Sequence, residues 1–225
     1  MITVNYTSQH WKILEKLRKK AIKMIEPLAK NHINAYVYGS IARGDIHPES
    51  DIDIYIPTPP APSIIETHIE QAGYTIQNRE IIQATPTYAP KGYIYLDEKS
   101  GFSFPLLDMK TIELEFYIFA GRISIKKLRE NIRVPGIDKR LMLIEPTEFG
   151  HIESHIEGKE GSIAKLLNIH VQTIQNRIRT LKRRELRGRT GVYIKTDLNR
   201  DESFGDAYHN LSISRPALRR RQRRK

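Results

Sequence analysis

Two aspartates separated by a single residue, Asp51 and Asp53, are the side chains of this sequence best suited to chemistry. They begin the run Asp-Ile-Asp-Ile-Tyr-Ile at residues 51–56, in which charged and apolar residues alternate at the start. Because successive side chains of a strand point to opposite faces, the pattern predicts both carboxylates on one face and the isoleucines in a core. Two adjacent unpaired carboxylates repel each other, so the pattern indicates a site for divalent cations.

A glycine-serine pair, Gly39-Ser40, follows an apolar run and precedes these acids. Glycine allows a backbone to approach a phosphate closely. Ser40 is predicted to cap a helix that begins at Ile41, and the N-terminus of a helix attracts anions. Arg43 would add a charged donor to phosphate. The turn and the acids together predict a site where two magnesium ions hold a triphosphate and an attacking hydroxyl.

These features resemble the motif of the nucleotidyltransferase superfamily of DNA polymerase beta, in which an apolar strand, Gly-Ser and about a dozen residues precede Asp-x-Asp on the next strand. The amino-acid sequence at residues 39–44 and 51–54 is similar to that of archaeal CCA-adding enzymes and minimal nucleotidyltransferases. The resemblance covers about residues 37–119. It implies transfer of a nucleoside monophosphate from a triphosphate, with ATP expected, and a requirement for Mg²⁺. The implied catalytic and metal-binding residues include Asp51 and Asp53, and the implied nucleotide-binding residues are Gly39, Ser40 and Arg43.

A third carboxylate is expected near the first metal ion, where it helps to position and deprotonate the attacking hydroxyl. In the family this carboxylate comes from a neighbouring strand, and residues 111–119 alternate in the way such a strand would. Matching this run to the pattern of CCA-adding enzymes assigns the catalytic and metal-binding role to Glu115. Glutamate stands there in place of the family's aspartate, so Glu113 and Asp108 remain alternatives.

The elements that position these residues follow from hydrophobic spacing. Residues 8–30 are predicted to form an amphipathic helix. A second helix is predicted from residue 63 to about residue 72, where Gly73 stops it. Strands are predicted at about residues 80–84, 92–96 and 112–119, with a shorter one at 102–107. The resulting fold class is α+β, with a mixed-sheet nucleotidyltransferase domain at residues 1–120.

Charge divides the chain into two parts. Residues 1–169 hold 21 basic and 21 acidic residues, whereas residues 170–225 hold 16 basic and 5 acidic residues and carry the whole excess of +11. This division predicts a neutral catalytic body joined to an end that binds polyanions. There is no cysteine, which excludes disulfides and cysteine-ligated zinc. No apolar run reaches the roughly 20 residues of a membrane span and no signal peptide is seen, so a cytoplasmic protein without a membrane partner is expected.

The basic end is predicted to follow a connector at residues 121–146. A small, mainly helical domain of the winged helix-turn-helix kind is predicted at residues 147–214. The last eleven residues, 215–225, include seven basic ones and are predicted to form a disordered tail that binds phosphates.

Within this domain a helix is predicted at residues 147–157. Residues 161–181 resemble a helix-turn-helix, and a hairpin wing is predicted at residues 187–194. The predicted nucleic-acid-binding residues are the polar and basic ones of the second helix, the wing and the tail: Gln172, Thr173, Asn176, Arg177, Arg179, Lys182, Arg183, Arg184, Arg187, Arg189, Arg219, Arg220, Arg221, Arg223 and Arg224.

Two functions are consistent with these patterns. The first is a magnesium-dependent nucleotidyltransferase whose acceptor is a nucleic acid, RNA rather than DNA, with a protein hydroxyl as an open alternative. The second is a DNA- or RNA-binding protein without catalysis, such as a transcription regulator or a ribosome-associated factor, in which the nucleotidyltransferase fold serves as a sensor or is a relic.

Overall fold

The computed structural model describes residues 1–188, 191–215 and 218, and these residues form an α+β structure. The strands are β1 (Ile2–Asn5), β2 (Tyr36–Tyr38), β3 (Ile52–Tyr55), β4 (Asn78–Gln83), β5 (Lys91–Asp97), β6 (Ser100–Pro105), β7 (Arg122–Ser124), β8 (Gly136–Ile137), β9 (Met142–Thr147), β10 (Gly150–His155) and β11 (Ile194–Asp197). The helices are α1 (Ser8–Lys30), α2 (Ser40–Arg43), α3 (Pro62–Gln71), α4 (Thr111–Phe119), α5 (Ile125–Arg129), α6 (Glu160–Leu167), α7 (Val171–Arg187) and α8 (Phe204–Ser214). Within these residues, none of the helices combines the length and the apolar character that crossing a bilayer requires.

The chain forms two compact units, each made of segments that are not consecutive in sequence. The described residues of the first unit are 1–25, 36–52 and 111–188, and those of the second are 26–35, 53–110, 191–215 and 218. This division cuts across the domain boundaries predicted after residues 120 and 146. The predicted connector contains β7, α5, β8 and most of β9, all within the first unit.

Antiparallel strands form one part of the first unit, in the order β1-β10-β9-β8. Val4 pairs with His151, and Glu153 pairs with Ile144. Strand β2 pairs antiparallel with β7. The helix predicted at residues 147–157 is therefore wrong, because this stretch is a turn and strand β10. Pairing of β10 with strands on both of its sides overrides the local helix signals.

Helices α4, α6 and α7 form the other part of the first unit around a shared apolar core. Residue Asn168, in the left-handed conformation with φ 53°, joins α6 to α7, so the predicted helix pair is present. The apolar side chains of this helix pair share a core with α4 and with strands β8 and β9, so the pair is not a separate domain. The buried members of this core are Phe119, Ile137, Leu141, Leu143, Ile156, Ile163, Ala164, Leu167, Ile169 and Ile174.

The strand predicted at residues 112–119 is wrong, because these residues lie in helix α4. The run is apolar on nearly all sides, and a short run of this kind does not separate a buried strand from a buried helix by its spacing alone. Alternate residues of α4 are buried, Glu113, Glu115, Tyr117 and Phe119 among them, so the helix buries the two glutamates that a strand would have exposed.

The second unit contains a sheet with the strand order β11-β4-β5-β6-β3. Strands β4, β5 and β6 are antiparallel neighbours. They confirm the strands predicted near residues 80–84, 92–96 and 102–107. Helices α3 and α8 pack on one face of this sheet, where Arg79 bonds Glu66 at 2.9 Å and the rings of Phe104 and Phe204 lie 5.1 Å apart.

Strand β11 corrects the prediction of a winged module. The sequence predicted a hairpin wing at residues 187–194, adjacent to the helix pair. Instead, Gly188 ends α7, and β11 pairs antiparallel with β4, with Ile194 opposite Gln83 and Asp197 opposite Glu80. The described residues therefore contain the helix pair without the predicted wing.

Candidate active site

The two aspartates of the candidate active site are held by a strand whose apolar residues are buried. Asp51 immediately precedes β3 and Asp53 lies within it, and both are exposed. Ile52, between them, is 1% exposed, and Ile54 is fully buried. The predicted alternation is confirmed, because burial of the isoleucines fixes the strand and leaves both carboxylates in solvent.

Gly39 forms the turn that precedes helix α2 and has a backbone conformation that favours glycine, with φ 85°. Its N–H donates to the carbonyl of Gly121 at 2.9 Å, which fixes the turn. A Cβ at Gly39 would meet no atom within 4 Å, so the glycine faces open space. The predicted cap was wrong: Gly39 is the N-cap, and Ser40 is the first residue of α2.

A serine pair brings this turn to the start of the acidic strand. The Ser40 hydroxyl lies 3.3 Å from the hydroxyl of Ser50, the residue before Asp51. Ser50 Oγ accepts a hydrogen bond from the backbone N–H of His47 at 2.8 Å. The glycine-serine turn and Asp51, separated by a loop in the sequence, are thus neighbours in the first unit.

Arg43 does not contact solvent in the way that a phosphate donor would. Its side chain is 6% exposed and bonds both carboxylate oxygens of Asp45, at 3.0 and 2.8 Å. The remaining terminal nitrogen donates to the carbonyl of Ala120 at 2.6 Å. The arginine therefore ties the end of α2 to its own loop and to the segment after α4.

Arg18 supports the same helix and was missed by the sequence analysis. Its guanidinium donates to the carbonyls of Ile41 and Ala42 at 3.0 Å, and to that of Ile132 at 2.8 Å. Burial lowers its pKa to about 10, with Arg133 adding to the effect. The signal was present in the spacing, since Arg18 is four residues after Leu14 and falls on the apolar side of α1.

Glu115 was assigned as the third carboxylate because it was placed on a strand, and that strand is absent. Its side chain, 10% exposed, accepts from the backbone N–H of His170 at 3.2 Å and lies 2.5 Å from that residue's Nδ1. The Thr173 hydroxyl donates to Oε2. Burial raises the pKa of Glu115, but these hydrogen bonds outweigh it, so the pKa lies below its usual range. Glu115 thus caps the N-terminus of α7.

The alternatives to Glu115 occupy different environments. Glu113 is buried on α4, and Asp108 is exposed beyond the end of β6. Among the described residues, no group of three or more histidines, aspartates or glutamates is arranged to hold a metal ion. Asp51 and Asp53 fit magnesium as a pair of hard oxygen donors, because Mg²⁺ completes its shell with phosphate oxygens and water.

The predicted nucleic-acid-binding residues divide into four groups. Thr173 is buried against Glu115, and the Arg177 guanidinium stacks over the ring of Phe116 at 4.8 Å, so neither is presented as predicted. Asn176 is half-buried. The exposed residues on α7 are Gln172, Arg179, Lys182, Arg183, Arg184 and Arg187, and Lys182 pairs with Glu157. Outside the described residues lie Arg189, Arg219, Arg220, Arg221, Arg223 and Arg224.

Comparison with known families identifies the class of this protein. The model of the nucleotidyltransferase domain matches residues 12–134, more than half of the chain, and the chain belongs to this family. The match includes both the glycine-serine turn and the two aspartates. Nucleotidyl transfer is therefore the general reaction that the chain's family supports, with a nucleoside triphosphate as substrate. Searches of curated proteins and of solved structures find no match.

Proposed function

We propose that this protein is a magnesium-dependent nucleotidyltransferase that transfers a nucleoside monophosphate from a triphosphate, ATP in the first instance, to an RNA acceptor. The observation that carries the proposal is the 3.3 Å contact between the Ser40 and Ser50 hydroxyls. It brings the open glycine turn to Ser50 and the adjoining Asp51 within the first unit, and Asp53 is two residues further along the chain. Family membership supports the reaction class, and these residues support its location.

Each residue of the proposed site has a distinct role. Asp51 and Asp53 would bind Mg²⁺, which when present supplies positive charge to the triphosphate. The open space beside Gly39 lets phosphate oxygens approach the backbone. Ser40 would donate its hydroxyl to a phosphate oxygen, exchanging its contact with Ser50. Arg43 and Arg18 act indirectly, because they hold helix α2 behind the turn.

The bond changes are those of an in-line displacement. A hydroxyl oxygen of the acceptor forms a bond to the α-phosphorus while the bond from that phosphorus to the pyrophosphate oxygen breaks. Pyrophosphate leaves, and the proton of the acceptor hydroxyl is lost to solvent. Positioning and charge neutralisation supply most of the rate in such transfers. The structure offers Glu115 as a helix cap, and the proposed site does not include it.

The proposal of an RNA acceptor is supported by the exposed basic face of α7. Arg179, Arg183, Arg184 and Arg187 are exposed there, and the sequence that follows residue 170 holds the whole net charge of +11. Basic side chains in this number bind phosphates with strong salt dependence. This face is equally suited to a protein that binds nucleic acid without catalysis, so activity is the property to test.

The experiment is incorporation of α-labelled nucleoside triphosphates into bulk RNA, DNA and protein by the full chain, with and without Mg²⁺. We expect label in RNA, dependent on Mg²⁺, and a loss of about 1,000-fold or more in the double variant Asp51→Asn, Asp53→Asn. Glu98→Gln with Glu148→Gln removes the same charge from two exposed turn positions and serves as the matched control. Equal incorporation by the wild type and the aspartate variant would contradict the proposal.

Other outcomes select among acceptors and functions. Label in protein alone would replace the RNA acceptor with a protein hydroxyl. Absence of transfer to any acceptor, together with tight RNA or DNA binding that ignores Mg²⁺ and triphosphate, would favour the alternative of a nucleic-acid-binding protein without catalysis.

A further inference from the structure

One face of the sheet in the second unit carries a polar row that the proposed site uses only in part. We call this row the tyrosine strip, and its members are Asp53 on β3, Tyr93 and Tyr95 on β5, and Glu80 on β4. The strand register places Tyr93 opposite both Glu80 and Ser103. Helices α3 and α8 cover the opposite face of this sheet, so the strip lies on the face that the helices of its own unit leave open.

The tyrosine rings of the strip are held in a fixed arrangement. Tyr93 and Tyr95 are half-buried, with ring centroids 6.1 Å apart and planes inclined by 11°. Gly101 is opposite Tyr95, and a Cβ there would lie 3.1 Å from the tyrosine ring, so the glycine makes room for that ring. Burial, the charges of Glu80 and Asp53 and a hydrogen bond to the Glu80 side chain raise the pKa of Tyr95 to about 12, which keeps its hydroxyl protonated.

Glu80 has an incomplete set of hydrogen bonds. Its side chain is 7% exposed, and Oε1 lies 3.1 Å from both the Asn78 side-chain nitrogen and the Lys195 ammonium. Oε2 is buried and has no hydrogen-bond partner among the described residues. A buried carboxylate oxygen is normally hydrogen-bonded, and leaving one unpaired is destabilising. A donor group on a ligand would complete the set.

We infer that the tyrosine strip binds a nucleobase, with the base against the rings of Tyr93 and Tyr95 and one of its N–H groups donating to Oε2 of Glu80. The inference rests on the proposed function, which places phosphates near Asp53. Glu80 and Asp53 stand on strands three interstrand spacings apart, roughly 14 Å, a span suited to an extended nucleotide. Aromatic faces and a carboxylate acceptor together match the chemistry of a base.

The charges of the strip favour a base over a phosphodiester chain. Asp53, Glu80 and Asp197 share this side of the sheet with the ammonium groups of Lys91 and Lys195. A polyanion lying along the strip would meet net negative charge, whereas an uncharged base would not. The base can belong either to the triphosphate or to the end of the acceptor, and the experiment separates these two sources.

The experiment measures binding of ATP, GTP, CTP, UTP and ribose 5-triphosphate, which lacks a base, to the full chain with Mg²⁺ and no acceptor. If the triphosphate supplies the base, the preferred nucleotide binds at least about 10-fold more tightly than ribose triphosphate. Glu80→Gln then weakens binding of that nucleotide by about 10-fold, because one hydrogen bond to a charged acceptor is lost. The affinity for ribose triphosphate does not change. Tyr93→Ala weakens all four nucleotides, and Glu98→Gln, on the exposed turn after β5, changes none.

A second arm tests the acceptor. If Glu80→Gln does not change nucleotide binding, KM is measured for short oligoribonucleotides that differ only in their 3′ base. A KM that rises in this variant for one base assigns the strip to the acceptor. If neither nucleotide binding nor KM responds to Glu80→Gln or Tyr93→Ala, the inference is overturned. Thermal unfolding checks the fold of each variant. Should Glu80→Gln not fold, Tyr93→Ala and ribose triphosphate on the wild type still decide the question.

The failure of the inference is distinguishable from the failure of the proposed function. Transfer that needs Asp51 and Asp53 but ignores both strip variants overturns the inference and leaves the proposed function standing. Base-selective binding that Glu80→Gln abolishes, in a protein that transfers no nucleotide, supports the inference and overturns the proposed function.

Discussion

Two buried glutamates, one in each unit, have different hydrogen-bond environments. Glu115 in the first unit has both carboxylate oxygens engaged, by Thr173 and by two groups of His170. Glu80 in the second unit has one engaged oxygen and one that is buried without a partner among the described residues. The comparison separates a carboxylate whose two oxygens are both hydrogen-bonded from one that keeps an unpaired oxygen. Burial alone, which the two share, does not.

Removal of the Glu115 carboxylate should produce the largest effect. Glu115→Ala leaves the Thr173 hydroxyl and the backbone N–H of His170, the N-cap residue of α7, without their acceptor, and we expect the free energy of unfolding to fall by about 3 kcal/mol. Urea unfolding followed by circular dichroism measures this change. A loss smaller than that of Glu80→Ala would reverse the comparison.

Removal of one donor to Glu115 should have an intermediate effect. Thr173→Val keeps the shape of a buried side chain and removes its hydroxyl, so we expect a loss of about 1–2 kcal/mol. The double variant with Glu115→Ala should lose less than the sum of the two single variants, because both remove the same hydrogen bond. Strict additivity in a double-mutant cycle would show that the bond contributes nothing.

Acid should reveal the same carboxylate in a pH profile. Because the folded pKa of Glu115 lies below the usual value of 4.5, its contribution to stability is present above that pH and is lost as the pH falls through the folded pKa. We therefore expect the stability of the wild type to decline more steeply in this acid range than that of Glu115→Gln. Parallel declines in urea midpoints would argue that Glu115 titrates alike in the folded and unfolded states.

The smallest effect on stability is expected at Glu80. Glu80→Ala removes the bonds from Asn78 and Lys195 but also relieves an unpaired buried oxygen, and the two contributions oppose each other. We expect a change within about 1 kcal/mol, measured in urea beside Glu115→Ala. A loss comparable to that of Glu115 would mean that Glu80 serves the fold in the same way.

The parts of the site that were predictable depend on local pattern. Asp51 and Asp53 alternate with buried isoleucines. Because Ile52 between them is buried, both aspartates point to the opposite face, whatever the position of the strand in the sheet. A turn at Gly39 was predicted because this glycine follows an apolar strand, and its φ of 85° is a conformation that favours glycine. Such features need only neighbouring residues to be correct.

The parts that were wrong depend on partners distant in sequence. Glu115 forms hydrogen bonds with His170 and Thr173, which follow it by 55 and 58 positions. The sequence around Glu115 does not indicate Thr173 as a donor. Arg43 was assigned to phosphate from its charge and its place after the glycine-serine turn, whereas Asp45 and the carbonyl of Ala120 bind its guanidinium. Strand β11 was assigned to a wing from its neighbours, but its pairing partner is β4.

The discontinuous make-up of the two units limits how the gene can be shortened. A fragment ending at residue 146, where the predicted connector ends, would lack α6 and α7 while keeping Phe119, Ile137 and Leu143. Those side chains would then face water, and the shortened polypeptide would aggregate or be degraded in the expression host. A library of deletions should therefore tolerate no cut between residues 111 and 188, because the helix pair and the rest of the first unit share one apolar core.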